Sequence, residues 1–336
     1  MNDVNEKLKN ALRAFLATYR FEPINSGPQF SYDKEYIDTF EDLRRNSDGE
    51  TVQLQLRRQE HDHLISVLQE LFPKQIHRSK LRTELLRVCK EWIEKDYVLE
   101  NDNHIENLAN NLLTSLNSLI NNLIILIPID GLIIETSDKL KILKCVFSSN
   151  NKGSKLRVAA KNLEMHYENF NLDVFNNAPT FAECRSTAQP KKAIDNAVEM
   201  VNQSLGVLRL YISSYYSDIY ASPGSQTRMG ISRTYSQEDR SHAILLEANK
   251  EYSEQIPGAS TRTIFDDKYV INQEAYELIN NLGLQKINHY LENPAVERKD
   301  HVSRRLLRST NWFSKATTAN SLADSFIFFT IAIVII

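Results

Sequence analysis

The chain has 336 residues, of which 42% are hydrophobic and 25% charged, a globular balance at a length that suggests two domains. Its 40 basic and 43 acidic residues are mixed along the chain and leave a net charge of −3, so no basic footprint points to DNA or to a membrane surface. Cys89, Cys145 and Cys184 lie far apart with no paired spacing, which argues against a disulfide framework and a zinc module and for a reducing, cytoplasmic setting.

From the N-terminus, Leu8, Leu12, Phe15 and Leu16 mark an amphipathic helix whose Asp3, Glu6, Lys7 and Lys9 are foreign to a signal peptide. Val52, Leu54 and Leu56 alternate with polar residues as a strand does. Leu64, Val67, Leu68 and Leu71 then mark a helix that Pro73 closes. Leu81, Leu85, Val88, Cys89, Trp92 and Ile93 give another helix, and Ile105, Leu108, Leu112, Leu113, Leu116 and Ile120 one more.

The apolar stretch Leu112 to Ile134 contains Asn117, Asn121, Asn122, Pro128 and Asp130, each costly in lipid, and so reads as a helix end leading into strands and not as a membrane span. Leu123 to Ile127 and Leu132 to Ile134 are buried strands flanking a turn at Pro128-Ile129-Asp130-Gly131. Leu140 to Phe147 has the length of a further strand, and Ser148 to Ser154 is a loop.

Asn176 to Gln189 reads as a hinge, because long helices follow. Pro190 stands at a first-turn position, and apolar residues recur at helical spacing from Ala193 to Tyr215. Order lapses at Ser222-Pro223-Gly224-Ser225, and Ala243 to Leu246 is a short strand-like run in what reads as a surface excursion. Helical spacing resumes with Tyr276, Ile279, Leu282 and Ile287, stops at Pro294, and restarts with Val302, Leu306, Leu307, Trp312 and Phe313. Ser321 and Asp324 form a capping box before a last helix that is apolar on every face. The run Phe326 to Ile336 is shorter than the roughly 20 residues a span requires. The fold class expected is α+β, with a mixed N-terminal domain over residues 1–177 and a mainly helical region over 178–336.

Arg308-Ser309-Thr310-Asn311-Trp312-Phe313-Ser314-Lys315-Ala316, followed by Asp324-Ser325-Phe326 and Ala332-Ile333, resembles the Apea-like HEPN family. That family's pattern is an arginine-led tryptophan-aromatic-x-x-alanine helix, an acidic residue and then an apolar helix. Leu208-Arg209-Leu210-Tyr211 and the turn at residues 126–132 look like its N-terminal portion. The resemblance implies a bacterial, antiphage-defence protein whose helical HEPN domain cleaves RNA without a metal. Its nuclease motif, an arginine, four to six residues and a histidine, follows the apolar helix. This sequence has Val334 where the family usually has a glutamate, and the apolar helix is the last segment of the chain. A truncated chain without the catalytic segment, its catalytic residues unknown, is therefore expected, binding RNA or a partner without cofactor or metal.

The candidate RNA contacts are Arg304, Arg305 and Arg308, in a basic cluster with Arg298, Lys299 and Lys315 beside Trp312. Arg304, Arg308 and Trp312 share a helix face by their spacing, although a solvated basic face over a core tryptophan has the same pattern. Elsewhere, Arg58 and His63 match the arginine–histidine spacing, and His61 and His63 would share a face on a strand, but the tract reads first as a solvated, charged helix start, since a site is defined by geometry and not by spacing. Lys152-Gly153-Ser154-Lys155 lacks the frame of a P-loop and reads as a loop. The alternatives are a purely structural or interaction protein with no RNA role and a ribonuclease acting through Arg58 and His63. The apolar C-terminal helix predicts self-association.

Overall fold

The structure is a computed structural model of the whole chain. It describes residues 2–18, 20–23, 36–45, 51–95, 97–136, 139–165, 172–215, 229–231, 240–247, 250–257 and 269–292, together with 305, 306, 308–310, 312, 327, 330 and 331. The fold is mixed α+β, in two compact units that divide at Asn121 and Asn122.

Unit 1 contains α1 (Asn2–Leu16), β1 (Arg20–Pro23), β2 (Tyr36–Arg45), β3 (Thr51–Arg57), α2 (Arg58–Leu71), α3 (Arg78–Glu94) and α4 (Asp102–Ser118). The strands form an antiparallel sheet in the order β1-β3-β2. The helices pack as a closed set, α1 against α2 and α4, and α3 against α2 and α4. Their apolar stripes meet in one core of Leu8, Leu12, Phe15, Leu64, Leu68, Leu85, Trp92, Leu108 and Leu112. Asn101 caps α4 by accepting from the Asn103 amide, and Phe72 and Pro73 end α2.

Unit 2 opens with β4 (Asn121–Asp130), β5 (Leu132–Ile134), β6 (Leu140–Ile142), β7 (Cys145–Ser149), α5 (Lys155–Glu164), α6 (Leu172–Asn177), β8 (Thr180–Ala188) and α7 (Pro190–Tyr215). It continues with β9 (Gly230–Ile231), β10 (Arg240–Glu247), β11 (Lys250–Pro257), β12 (Tyr269–Ile271), α8 (Gln273–Asn281) and α9 (Leu284–Glu292). The main sheet runs β11-β10-β4-β8-β7-β6, with β9 also on β4, while β5 pairs in parallel with β12.

Strand pleating sends successive side chains to opposite faces. On β4, Leu123, Ile125, Ile127 and Ile129 join a core covered by α7, and Ile124 and Leu126 turn to a second core under α5 and α6. On β8, Ala182 and Cys184 face the first core and Phe181 the second; on β10, Ala243 faces the first and Ile244 the second. Unit 2 is thus a sheet with helices on both faces, which is why β4 is apolar without alternation.

Several sequence expectations change. The supposed hinge over 176–189 is the end of α6 and strand β8, hydrogen-bonded to β7 in the register Cys145 to Cys184. The boundary expected after residue 177 therefore cuts through a sheet, and the compact units separate at Asn121 instead. The region 178–336 is mostly helical in its described part, as expected, but it also supplies the strands β8 through β12. The excursion containing Ala243 to Leu246 is in fact β10, paired with β4, with Ala243 and Ile244 wholly buried. Leu140 to Phe147 is two strands, β6 and β7, because the backbone reverses at Leu143, whose φ is 49°.

Pro128 lies inside β4, in the gap between its pairing with β10, which ends at Leu126, and with β9, which starts at Ile129. A proline without an N–H is tolerated where a partner strand is exchanged. The turn itself is one residue, Gly131, at φ 72°, a backbone state that favours glycine.

Candidate nucleic-acid interface

Of the three candidate RNA contacts, Arg304 lies outside the described residues, as do Arg298, Lys299, His301 and Lys315. Arg305, Leu306, Arg308, Ser309, Thr310 and Trp312 are all helical. At about 100° per residue, Arg305, Arg308 and Trp312 cluster on one side, while Leu306, Ser309 and Thr310 cluster on another. Burial follows that division. Arg305 and Arg308 are exposed, Ser309 and Thr310 are buried, and Trp312 is half-buried. Leu306 packs against the α7 side of the unit 2 core. The segment is therefore seated on its apolar and small-polar face and turns its guanidinium-bearing face to solvent, the arrangement a phosphate backbone requires.

The N-terminal pair does not converge. Arg58 and His63 both lie on α2 and are exposed, and a separation of five residues puts them roughly 140° apart around the helix. His61 and His63 are likewise on a helix and not on the strand that would align them: His61 is buried and His63 exposed. His61 Nδ1 lies 3.3 Å from Asp62 Oδ1, and Arg78 donates to the same carboxylate at 2.9 Å. Burial holds the His61 imidazole below its ordinary value, against the opposing pull of Asp62. This is a core histidine beside Phe15, its ring centroid 6.3 Å away. Among the described residues, no three His, Cys, Asp or Glu side chains gather in a group able to hold a metal.

The Lys152-Gly153-Ser154-Lys155 loop has a structural task. Ser154 caps α5 by accepting from the Arg157 amide, and its hydroxyl donates to Asn150 Oδ1 at 2.5 Å. Asn150, itself buried, donates to the carbonyls of Phe175 and Ala178 at 2.6 and 2.7 Å. The loop thereby pins α6 and the start of β8.

Two buried features have a placement that the sequence did not show. Arg209 sits among Leu205, Leu208 and Ile212 on α7, is 3% exposed and donates to the Met229 carbonyl; burial pushes its pKa down to about 10. It ties α7 to the residue that enters β9. Cys145 and Cys184, 39 positions apart, are brought to an Sγ–Sγ distance of 3.1 Å. Only the β7–β8 register could have revealed that pair. Compared with known proteins, the chain matches no family model, no curated protein and no solved structure.

Proposed function

We propose that this chain binds RNA through the basic face carrying Arg305 and Arg308, as an HEPN-like protein of the antiphage-defence kind that does not cleave RNA by itself. The observation that carries the reading is the exposure of both arginines on a helical segment anchored by Leu306. A guanidinium pairs with phosphate, and Trp312, half-buried on the same side, offers a ring edge for a neighbouring base. The HEPN resemblance at 308–333 supports RNA as the ligand. The reading puts the chain in the cytoplasm, in keeping with three free thiols and with the finding that no helix among the described residues is long and apolar enough to cross a membrane.

Titration of labelled single-stranded RNA against wild type and the variant Arg304→Ala/Arg305→Ala/Arg308→Ala tests the proposal. Wild type should bind with strong salt dependence, and the variant should lose about 0.7 in the log–log salt slope for each phosphate contact removed. Equal binding by both proteins, or none by either, removes the RNA role.

Absence of cleavage follows from the chemistry required. An imidazole near neutral pKa must sit beside the ribose hydroxyl with a cation on the phosphate. None of His242, His289 and His301 follows an arginine by four to six residues, and Arg58 and His63 point apart. Transfer RNA incubated with the protein and EDTA should stay intact; cleavage abolished by His301→Ala or by His63→Ala would overturn this.

The rival reading, an interaction protein without RNA, is favoured by Ile327, which is 51% exposed in the apolar run Phe326 to Ile336. That end should drive self-association, and a clean monomer by light scattering at micromolar concentration would count against it.

A further inference from the structure

β7 and β8 run antiparallel with Cys145 directly opposite Cys184. Directly opposed residues in such a pair have Cα atoms about 4.5 or 5.5 Å apart, according to their place in the hydrogen-bond ladder. Both values fall within the roughly 4.4–6.8 Å window of disulfides. The two sulfurs already stand 3.1 Å apart, so closure to a bond of about 2.05 Å needs a movement of about 1 Å. Side-chain rotation supplies that without shifting either strand.

We propose that Cys145 and Cys184 are a resident dithiol that hydrogen peroxide oxidises to an intrachain disulfide, a covalent tie across the β7–β8 ladder. Cys145 is the attacking sulfur. Either thiol can donate in this contact; with Cys184 donating, Cys145 is held below the usual thiol range, while the same contact and burial push Cys184 up. Ser204, wholly buried on α7 and beside Cys145, donates its hydroxyl to the Ile142 carbonyl at 3.0 Å and so fixes the packing around this sulfur.

In the first step Cys145 Sγ attacks one peroxide oxygen, the O–O bond breaks, and the other oxygen leaves as water after taking the thiol proton, so that Cys145 becomes a sulfenic acid. Cys184 Sγ then attacks Cys145 Sγ; the S–O bond breaks and its oxygen leaves as a second water with the Cys184 proton. Two thiols have lost two electrons and one peroxide has gained them. Both sulfurs are fully buried, so the peroxide enters through local opening. The three-residue β6, last in the described order of the main sheet, is the only strand of that order beyond β7.

The disulfide would close a loop that contains α5 and α6, and so would constrain the segment leading into the centre of the sheet. Cys89 belongs to unit 1 and serves as an internal reference.

The test uses the full chain, fully reduced, exposed to hydrogen peroxide and then quenched with catalase. Alkylation in denaturant should find three thiols before treatment and Cys89 alone after it. Digestion without reductant should yield a peptide pair joined through Cys145 and Cys184, dithiothreitol should separate it, and the thermal midpoint of the oxidised protein should rise by about 5–10 °C. In Cys184→Ala the reaction should stop at Cys145 sulfenic acid, trapped by dimedone, whereas Cys145→Ala should leave Cys184 unmodified; circular dichroism checks that each variant folds. Retention of all three thiols in wild type, or oxidation of Cys145 to sulfinic acid with Cys184 still reduced, overturns the proposal without reference to either variant.

Discussion

The two compact units bury apolar surface in different ways. Unit 1 closes four helices on a single core, and among its described residues the one buried polar side chain is His61. Unit 2 covers both faces of a sheet and buries Asn150, Ser154, Thr180, Ser204, Arg209 and Asn288. A helix satisfies its own backbone, so a helical core can be almost wholly apolar. A sheet flanked by loops and short helices leaves backbone groups that side chains must answer. Asn288 does so for the β6–β7 turn, accepting from the Leu143 amide and donating to the Lys141 carbonyl, each at 2.9 Å.

The largest expected effects come from removing a buried ring in each unit. Phe15→Ala in unit 1 and Phe147→Ala in unit 2, both essentially unexposed, should each cost about 3–5 kcal/mol. Calorimetry should find the loss confined to the unit that carries the change. A common shift of the whole profile would break the comparison by showing that the units unfold as one.

Polar deletions should separate the units more sharply. Asn150→Ala strands the Phe175 and Ala178 carbonyls and the Ser154 hydroxyl in a buried site, an expected loss of about 2–4 kcal/mol in urea unfolding. Ser115→Ala in unit 1 removes a partly buried bond to Glu84 at 2.7 Å and should cost about 1 kcal/mol or less. Equal losses would show that buried polar groups matter no more to unit 2 than partly buried ones matter to unit 1.

The smallest effect is a dependence on pH. Burial lowers the pKa of His61 in the folded state, so the unfolded chain takes up the proton first as pH falls. The stability tied to the neutral imidazole is fully present above the unfolded value near 6.5 and is lost as pH drops through the folded value. Wild type should lose more stability than His61→Gln between pH 7.5 and 5. Parallel curves would mean that burial of His61 leaves no linkage.

Unit 1 was the more readable half because its elements are local. The 3.6-residue recurrence of Leu81, Leu85, Val88 and Trp92, or of Ile105, Leu108, Leu112 and Leu116, depends only on which face of a helix turns inward. α7 was legible for the same reason, with Pro190 at its first position. In unit 2, β4 announced itself by an apolar run too short and too broken for a membrane. Its neighbours did not. Thr180, Glu183, Arg185, Ser186 and Thr187 give β8 the composition of a loop, yet it lies between β4 and β7 because Phe181, Ala182 and Cys184 alternate across two cores. The tract Arg58 to His63 matched a catalytic spacing in one dimension, and helical geometry separated its members in three.

The mixed α+β class, the positions of α1, α2, α3, α4, α7 and α8, and the basic character of the segment around Arg308 were legible before any folding was considered. These follow from periodicity and composition, which are properties of neighbours along the chain. The boundary at Asn121, the placement of β8 and β10 inside the sheet, the seating of the Arg305 and Arg308 segment on Leu306, and the meeting of Cys145 with Cys184 emerged with the folded chain alone. Each of these rests on strand register or on contact between distant segments, and a one-residue slip of β8 would turn Cys184 to the opposite face and leave Cys145 facing another side chain.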